Sequence, residues 1–261
     1  MKYGFIGCGN MGGAIAGALS KATRNIEICD RSGKAAVLAR ELGISYGSKL
    51  SIAENCDRIF LAVKPHMLKD VLAPLQDILK ERKPLLISMA AGVEIEQHEA
   101  FAGTKLPVIR IMPNTPTAVG KGIVAYCRNE AVEDAVLEDW LEDMRFCGLL
   151  ESVEEKLMDA VSALSGSGPA YVYMMLEAMA DGAVSCGLPR EKAMSMAAMT
   201  LSGSAELYLQ TKQHPGALKD AVCSPAGSTI VGVRSLENHG FRGAVMDCII
   251  ETFKRNKELG K

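Results

Sequence analysis

The chain has 261 residues, 48% of them hydrophobic, with 29 Lys and Arg against 31 Asp and Glu. This balance gives no strong field that would favour nucleic acid or an anionic membrane, and no apolar stretch approaches the roughly 20 residues of a membrane-spanning helix. The eight cysteines are scattered without a C-x-x-C pair, and the chain starts directly on an apolar strand, so we predict reduced thiols and a cytoplasmic location.

The opening stretch has the pattern of a dinucleotide-binding turn. An apolar strand ending at Ile6 is followed by Gly7-Cys8-Gly9-Asn10-Met11-Gly12 and then by an Ala-rich helical pattern. Gly7 permits the tight turn, Gly9 lets the backbone approach a pyrophosphate, and Gly12 lets the helix pack on its strand. A glycine-rich turn without a ligand is the alternative, but the strand before it and the helix after it favour a dinucleotide site.

The second strand is predicted at Asn25–Asp30 and ends in an acid. A carboxylate at this point favours the ribose 2′-hydroxyl of NAD, whereas the adjacent Arg31 and Ser32 can hold the 2′-phosphate of NADP. Arg31 and Lys34 can equally be a solvated helix start. The sequence therefore leaves NADPH and NADH both open at this point.

Further apolar strands alternate with helical patterns along the first half of the chain. Such strands predict a parallel sheet covered on both faces, with ligands beyond the carboxyl ends of its strands. Lys64 follows one strand end where the nicotinamide half of a cofactor would pass, although a loop lysine in water is the alternative. The predicted strands are Arg58–Val63, Leu85–Ala90, Pro107–Met112 and Gly122–Cys127, the last taken as the final strand; the predicted helices are Met67–Leu79, Glu94–Phe101 and Val132–Phe146.

The second half reads as helical from Ser152 onward, so we place a domain boundary near residue 150, with domains at 1–150 and 151–261. The predicted helix Pro169–Cys186 is apolar nearly all round and rich in methionine. A helix apolar on every face must be buried, and a small helical domain has few places for one. We therefore predict that it is core or subunit interface, and that the protein is a homo-oligomer built on its helical half.

The second half lacks the usual equipment of an alcohol dehydrogenase, because the helix Pro169–Cys186 carries neither His nor Lys as a general base. His214 and His239 lie in turn contexts, and no residue set has metal-ligand spacing, so no metal is expected. What remains are small hydroxyl residues and glycines. The stretch Ser224–Thr229 predicts a turn into a helix, which presents backbone N–H groups to a carboxylate or simply caps the helix. Reduction of a carbon–nitrogen double bond suits this equipment, since an imine protonates readily and one hydroxyl can relay the proton.

The sequence resembles the pyrroline-5-carboxylate reductase family along its whole length. The Gly-rich opening is shared by many dehydrogenases, whereas the serine–proline–glycine–threonine stretch behind G-S-G-P-A-Y is specific. The matching stretches are Phe5–Gly12, Ala62–Pro65, Ser88–Gly92, Arg110–Pro116, Leu164–Tyr171, Gly187–Arg190, His214–Gly216, Leu218–Asp220, Ser224–Ile230 and Leu236–Arg242.

The resemblance implies an α/β fold: an N-terminal Rossmann-type doubly wound parallel sheet and a C-terminal all-helical domain that dimerises by interlocking helices. Dimers of this family often assemble further into decamers. It implies reduction of the cyclic imine 1-pyrroline-5-carboxylate to L-proline, with no nucleic-acid or membrane partner. The family usually favours NADPH, and Asp30 leaves that preference open. The implied cofactor contacts are Ile6, Gly7, Cys8, Gly9, Asn10, Met11, Arg31, Ala62, Val63, Lys64, Pro65, Ala90, Ala91 and Gly92.

The resemblance also implies that the loop Ser224–Thr229 holds the substrate carboxylate, with Ser224, Gly227, Ser228 and Thr229 as its residues and the Thr229 hydroxyl near the ring nitrogen. Where the family often has two glycines after the proline, this chain has Ala226-Gly227, which narrows the allowed backbone. Two other hypotheses are a related hydroxy acid dehydrogenase, disfavoured by the missing base, and a dinucleotide sensor without catalysis, disfavoured by the intact loop.

Overall fold

The computed structural model describes residues 1–259. They divide into two compact units: residues 1–167 with the chain from Thr252 on, here called the sheet unit, and Gly168–Glu251, called the helical unit. The division falls at Gly168 rather than at residue 150. Residue 150 lies inside a strand of the sheet, Gly148–Ser152, and the buried Met158 belongs to the core beneath that sheet.

The sheet has eight strands, in the spatial order β3-β2-β1-β4-β5-β6-β7-β8. The strands are β1 Tyr3–Ile6, β2 Ile26–Cys29, β3 Ser45–Tyr46, β4 Arg58–Leu61, β5 Leu85–Ser88, β6 Val108–Pro113, β7 Gly122–Arg128 and β8 Gly148–Ser152. Strands β3 and β8 were missed from the sequence. β3 has only two residues and β8 is short and largely exposed, so neither shows the apolar run of a buried strand.

The first six strands are parallel, which confirms the predicted parallel sheet, although β3 itself was not predicted; the sheet departs from this arrangement only at its far edge. β7 pairs antiparallel with β6, and β8 runs parallel to β7. The reason is the length of the connections. Only the 3₁₀ segment Thr115–Val119 and a few neighbours join β6 to β7, too few for a crossover, whereas a helix joins β7 to β8.

Helices cover the sheet, and five further helices lie wholly or mainly in the helical unit. The predicted helix Met67–Leu79 is in fact two short helices separated by the 3₁₀ turn Ala73–Leu75, because Pro74 has no N–H to continue the helix. The helices are α1 Asn10–Leu19, α2 Lys34–Leu42, α3 Lys49–Asn55, α4 Leu68–Leu72, α5 Gln76–Arg82, α6 Ile95–Ala102, α7 Asp134–Met144, α8 Met158–Val161, α9 Gly168–Ser185, α10 Arg190–Thr211, α11 Pro215–Val222, α12 Ser228–Asn238 and α13 Phe241–Leu259.

The sheet unit buries two apolar layers, one on each face of the sheet. Alternate residues of a strand point to opposite faces, so Ile59 and Leu61 join one layer and Phe60 the other. Phe60 stacks on Phe5 of the neighbouring strand, with ring centroids 4.3 Å apart. This double packing fixes the parallel strands in register and brings the carboxyl ends of β1, β2, β4 and β5 to one edge.

The helical unit buries little of its apolar surface within one protomer. Tyr173 and Met174 on α9 are 59% and 70% exposed, and Ala180 is the only residue assigned as buried on this helix in the described chain. This exposure contradicts core packing within the protomer, one of the two predicted roles of this helix, and the other role, a subunit interface, stays a prediction. None of the helices described within residues 1–259 is long and apolar enough to cross a membrane.

Candidate functional site

A cleft of about 810 Å³ lies at the carboxyl ends of β1, β2 and β4. The site follows from the topology, since ligands of doubly wound sheets bind beyond the strand ends where the chain order reverses, here between β1 and β4. Eight of the sequence-predicted cofactor residues line it: Ile6, Gly7, Cys8, Gly9, Arg31, Ala62, Val63 and Lys64.

Gly7 and Gly12 pack the first turn against β4. Gly7 has φ +101°, and a Cβ there would lie 2.5 Å from the Ala62 carbonyl oxygen. A Cβ on Gly12 would lie 2.6 Å from the Gly7 carbonyl oxygen and 2.9 Å from the Ala62 Cβ. Both positions exclude any side chain, which confirms the predicted tight turn and the predicted close helix–strand packing.

Gly9 has a different surrounding, because a Cβ built on it meets nothing within 4 Å. It is the N-cap of α1 and supplies no side-chain hydrogen bond, so the first N–H groups of the helix have no cap. An open, uncapped helix N-terminus beside a cleft fits the pyrophosphate of a dinucleotide, through N–H groups and the positive end of the helix dipole. The residues present therefore fit the cofactor that the fold implies.

The other end of the cleft is lined by Asp30, Arg31 and Lys49. Both carboxylate oxygens of Asp30 accept hydrogen bonds from Ser32, one from its backbone N–H at 3.0 Å and one from its hydroxyl at 2.8 Å. Asp30 thus closes its own turn, and the cations beside it face the cleft. This arrangement suits a phosphate better than a bare ribose hydroxyl.

Several lining residues were missed from the sequence. Tyr46 to Lys49 run from the short β3 through a turn to the first residue of α3, while His66, Met67, Asp70 and Val71 follow β4. The available signal was Ser48, whose hydroxyl accepts the N–H of Ser51 at 3.1 Å and caps α3, a helix too short to stand out in the sequence.

Six predicted cofactor residues do not line this cleft. Asn10 and Met11 form the first turn of α1, and Pro65 starts the 3₁₀ turn Pro65–Met67. Ala90, Ala91 and Gly92 follow β5, the next strand along; Ala90 is 2% exposed, and its N–H is donated to the Ser88 hydroxyl. Their contact with a cofactor stays a prediction.

The buried thiols Cys8 and Cys29 stand in the wall of the cleft. Burial raises the pKa of Cys8 to about 12 and that of Cys29 to about 11, and the nearby Asp30 carboxylate adds to both shifts. Both thiols are therefore neutral at physiological pH, which makes them apolar wall residues rather than nucleophiles.

The loop Ser224–Thr229 lies in the helical unit and has the predicted form of a turn leading into a helix. The Gly227 N–H donates to the Ser224 carbonyl at 3.0 Å, closing a turn over Pro225 and Ala226, and α12 begins at Ser228. The alternative interpretation, that a hydroxyl of this stretch only caps the helix, is wrong, because the N-cap is Gly227 and no side chain caps α12. Its first N–H groups are thus open to an anion.

The matching stretch Leu164–Tyr171 also contains a serine whose hydroxyl is already engaged. Ser165, in the π-helical turn Ser162–Gly166, belongs to the sheet unit, where its hydroxyl donates to the Val161 carbonyl at 2.9 Å and its own carbonyl accepts the Asn114 amide at 3.1 Å. Its hydroxyl proton is therefore used in the helix. No group of three or more His, Cys, Asp or Glu side chains that could hold a metal occurs among the described residues.

A Rossmann-type sheet with an open glycine turn, joined to a helical unit with exposed apolar helices, defines a nicotinamide-dinucleotide oxidoreductase with a helical dimerisation half. Comparison with known families supports this class. Residues 2–92 match the family of NADP oxidoreductases described as coenzyme F420-dependent, and residues 155–259 match the pyrroline-5-carboxylate reductase dimerisation family.

Pyrroline-5-carboxylate reductases from several organisms are similar to the full length of this chain. Pyrroline-5-carboxylate reductase of Escherichia coli K12 is 41% identical over 100% of this chain and 98% of its own. The enzyme structure from Coxiella burnetii has a TM-score of 0.91 at 34% identity, and that from Plasmodium falciparum, with NADP bound, has 0.88 at 33%; each match covers 100% of this chain and 98% of the other. The chain belongs to the pyrroline-5-carboxylate reductase family.

Proposed function

We propose that this protein reduces 1-pyrroline-5-carboxylate to L-proline with NADPH, the last step of proline biosynthesis. The observation that carries the proposal is the uncapped N-terminus of α12 behind the Pro225 turn, in a chain that shares its whole length with this family. The sheet unit binds the dinucleotide, and the helical unit supplies the loop for the substrate carboxylate.

The proposed preference for NADPH over NADH rests on the end of the cleft beyond β2. Asp30 accepts two hydrogen bonds from Ser32, which hold its carboxylate within its own turn. Arg31 and Lys49 line the same end and would pair with the 2′-phosphate. The NADP in the related Plasmodium falciparum structure agrees with this assignment.

Bound NADPH supplies the hydride that the imine carbon receives. The chain's own task is to hold the substrate and deliver a proton to nitrogen. The N–H groups at the start of α12, with Ser224, Gly227 and Ser228 around them, would bind the substrate carboxylate, because the helix dipole favours an anion there. The Thr229 hydroxyl would hydrogen-bond the ring nitrogen and relay its proton.

The active form is proposed to be a homo-oligomer. Its dimer would be built on the exposed apolar faces of α9 and α10, and it would assemble further to a decamer, as the family resemblance implies. We place the enzyme in the cytoplasm, since its family carries out amino-acid biosynthesis with a reduced nicotinamide cofactor and five of its cysteines are buried thiols.

The first experiment mixes purified protein with 1-pyrroline-5-carboxylate and follows the absorbance of NADPH and NADH in parallel. We expect rapid oxidation of NADPH, slower oxidation of NADH, and L-proline in equal amount to the cofactor consumed. Cofactor binding without oxidation would refute the reductase activity and favour another imine substrate or a sensor. Faster turnover with NADH would refute the roles given to Arg31 and Lys49.

A further inference from the structure

A buried histidine outside the cleft is linked by hydrogen bonds to one of the predicted cofactor loops. His98 on α6 is 0% exposed, as is Ser88 at the end of β5. His98 Nε2 lies 2.6 Å from Ser88 Oγ, and His98 Nδ1 lies 2.8 Å from the Glu94 carbonyl oxygen. Ser88 Oγ in turn accepts the N–H of Ala90 at 3.3 Å.

The chemistry of the groups decides which atom is the donor in each of these hydrogen bonds. A carbonyl oxygen can only accept, so His98 Nδ1 carries the proton and donates to Glu94. In the neutral ring Nε2 is then an acceptor, and it takes the hydroxyl proton of Ser88. Burial lowers the pKa of His98, the hydrogen bond to the Glu94 carbonyl raises it, and the charges of Arg110 and Glu155 lower and raise it in turn. The net shift of the pKa is downward, which favours the neutral ring. The hydroxyl therefore has one orientation, with its lone pairs towards Ala90.

The ring is held by a firmly capped helix. The side chains of Glu94 and Gln97 form a reciprocal capping box at the start of α6. Glu155 adds a third bond, since its carboxylate accepts the Ile95 N–H at 2.8 Å and the Arg110 guanidinium at 3.0 Å. The His98–Ser88 hydrogen bond thus connects α6 directly to the end of β5, across the loop that joins them.

That loop lies next to the cleft strand. The Met89 N–H donates to the Leu61 carbonyl of β4 at 3.3 Å, and the residues after Leu61 line the cleft. Gly92 takes φ +73° to turn the chain. Residues at this strand end are placed to meet the nicotinamide side of a bound dinucleotide.

We propose that His98 is a positioning residue for the cofactor: through Ser88 it fixes the backbone of Ala90–Gly92, and so it sets the affinity for NADPH without touching it. This inference rests on the proposed function, because it takes the loop to be a cofactor contact. The His98–Ser88 hydrogen bond has this effect because it restrains the turn Ala90–Gly92, whose middle residue, Ala91, is exposed.

The test measures the Kd of NADPH by fluorescence titration for the wild type, four variants of the His98–Ser88 pair and one control variant. His98→Leu removes the acceptor and Ser88→Ala removes the hydroxyl, and each is expected to raise the Kd about fivefold, the size of one net hydrogen bond. The double variant is expected to raise it no further, because both changes break one link. His98→Gln, whose amide oxygen can accept from Ser88, is expected to stay near the wild type.

Leu79→Ala serves as the control for a general loss of stability, since Leu79 is a buried core residue of α5. A wild-type Kd in both His98→Leu and Ser88→Ala, additive effects in the double variant, or an equal rise in Leu79→Ala would each overturn the proposal. The proposed function fails separately. If the wild type binds NADPH but does not reduce the imine, the reductase activity is refuted, and the Kd series still tests the role of His98. A wild type that does not bind NADPH overturns both.

Discussion

Ala226 is a non-glycine residue with left-handed backbone, at φ +55°. It follows Pro225 in the turn that leads into α12, and the third position of such a turn prefers glycine. The departure noticed in the sequence, Ala before Gly227, is therefore a point of backbone strain.

Ala226→Gly is expected to stabilise the protein by up to about 1.5 kcal/mol. Left-handed backbone costs an L-residue about 1–2 kcal/mol, and the greater freedom of glycine in the unfolded chain offsets about 0.5–1 of it. Urea unfolding followed by circular dichroism checks this. Ala217→Gly, at an exposed helical position of α11, is the control and should destabilise. Equal losses in both variants would contradict strain at Ala226.

Thr229→Ala is expected to lower turnover about 10²-fold, the contribution of one positioned proton donor. Thr229→Ser keeps the hydroxyl and should retain activity within about tenfold of the wild type. Steady-state kinetics at saturating NADPH measure both. Wild-type turnover in the alanine variant would remove Thr229 from the mechanism.

His98 also predicts a pH dependence of stability. Its pKa in the folded protein lies below the ordinary value of 6.5. Between these two pKa values the unfolded chain binds a proton that the folded protein does not, so the free energy of unfolding falls as pH falls, by at most about 1.4 kcal/mol per pH unit. His98→Gln should flatten this slope in urea unfolding from pH 7.5 to 5. Parallel curves for variant and wild type would show that His98 does not titrate differently on folding.

Helix α1 shows how one element serves both packing and binding. The glycines of this helix and its N-cap differ in their surroundings. A Cβ on Gly12 would clash with the Gly7 carbonyl oxygen and the Ala62 Cβ, the N-cap Gly9 lines the cleft, and a Cβ on Gly17 would meet nothing within 4 Å. The same residue type is thus required at one position of the helix and dispensable at another.

Gly12→Ala should destabilise the protein by about 1–3 kcal/mol, the range for overpacking, and weaken NADPH binding because α1 must move away from β4. Gly17→Ala is the matched control within the same helix, expected to stabilise by about 1 kcal/mol through helix propensity. Thermal unfolding with an NADPH titration separates the two. A Gly12→Ala protein as stable as the wild type would mean that the turn can shift freely.

At the scale of the whole molecule, most exposed large apolar side chains lie in the helical unit, on α9, α10, α12 and α13. Surfaces of this kind mark association sites, and the matched dimerisation family agrees. In a single protomer the helical unit therefore leaves a large part of its apolar surface unburied.

Met174→Glu on α9 is expected to shift the oligomer towards a single protomer, because association would bury an unpaired charge. Size-exclusion chromatography with light scattering gives the mass. Val37→Glu, on a 54% exposed residue of α2, is the control and should leave the assembly unchanged. A wild type that runs as a monomer would contradict the dimer itself.

The sequence by itself determined five of the six parallel strands β1 to β6, the glycine turn, the helical second half and the family. Short sequence patterns predict these features: continuous apolar strands, glycines at fixed spacing and a specific serine–proline–glycine–threonine stretch. Local patterns suffice because burial on both faces and left-handed turns each select a narrow set of residue types.

Only the tertiary structure decided the reversed direction of β7, the added strands β3 and β8, and the free N-terminus of α12. It also decided that Asp30 is bound to Ser32 and that His98 meets Ser88. Each of these depends on which segments lie side by side, or on where one hydrogen bond goes among several partners. A hydroxyl in a sequence can cap, donate to its own helix or stay open, and the choice is made by its neighbours in space.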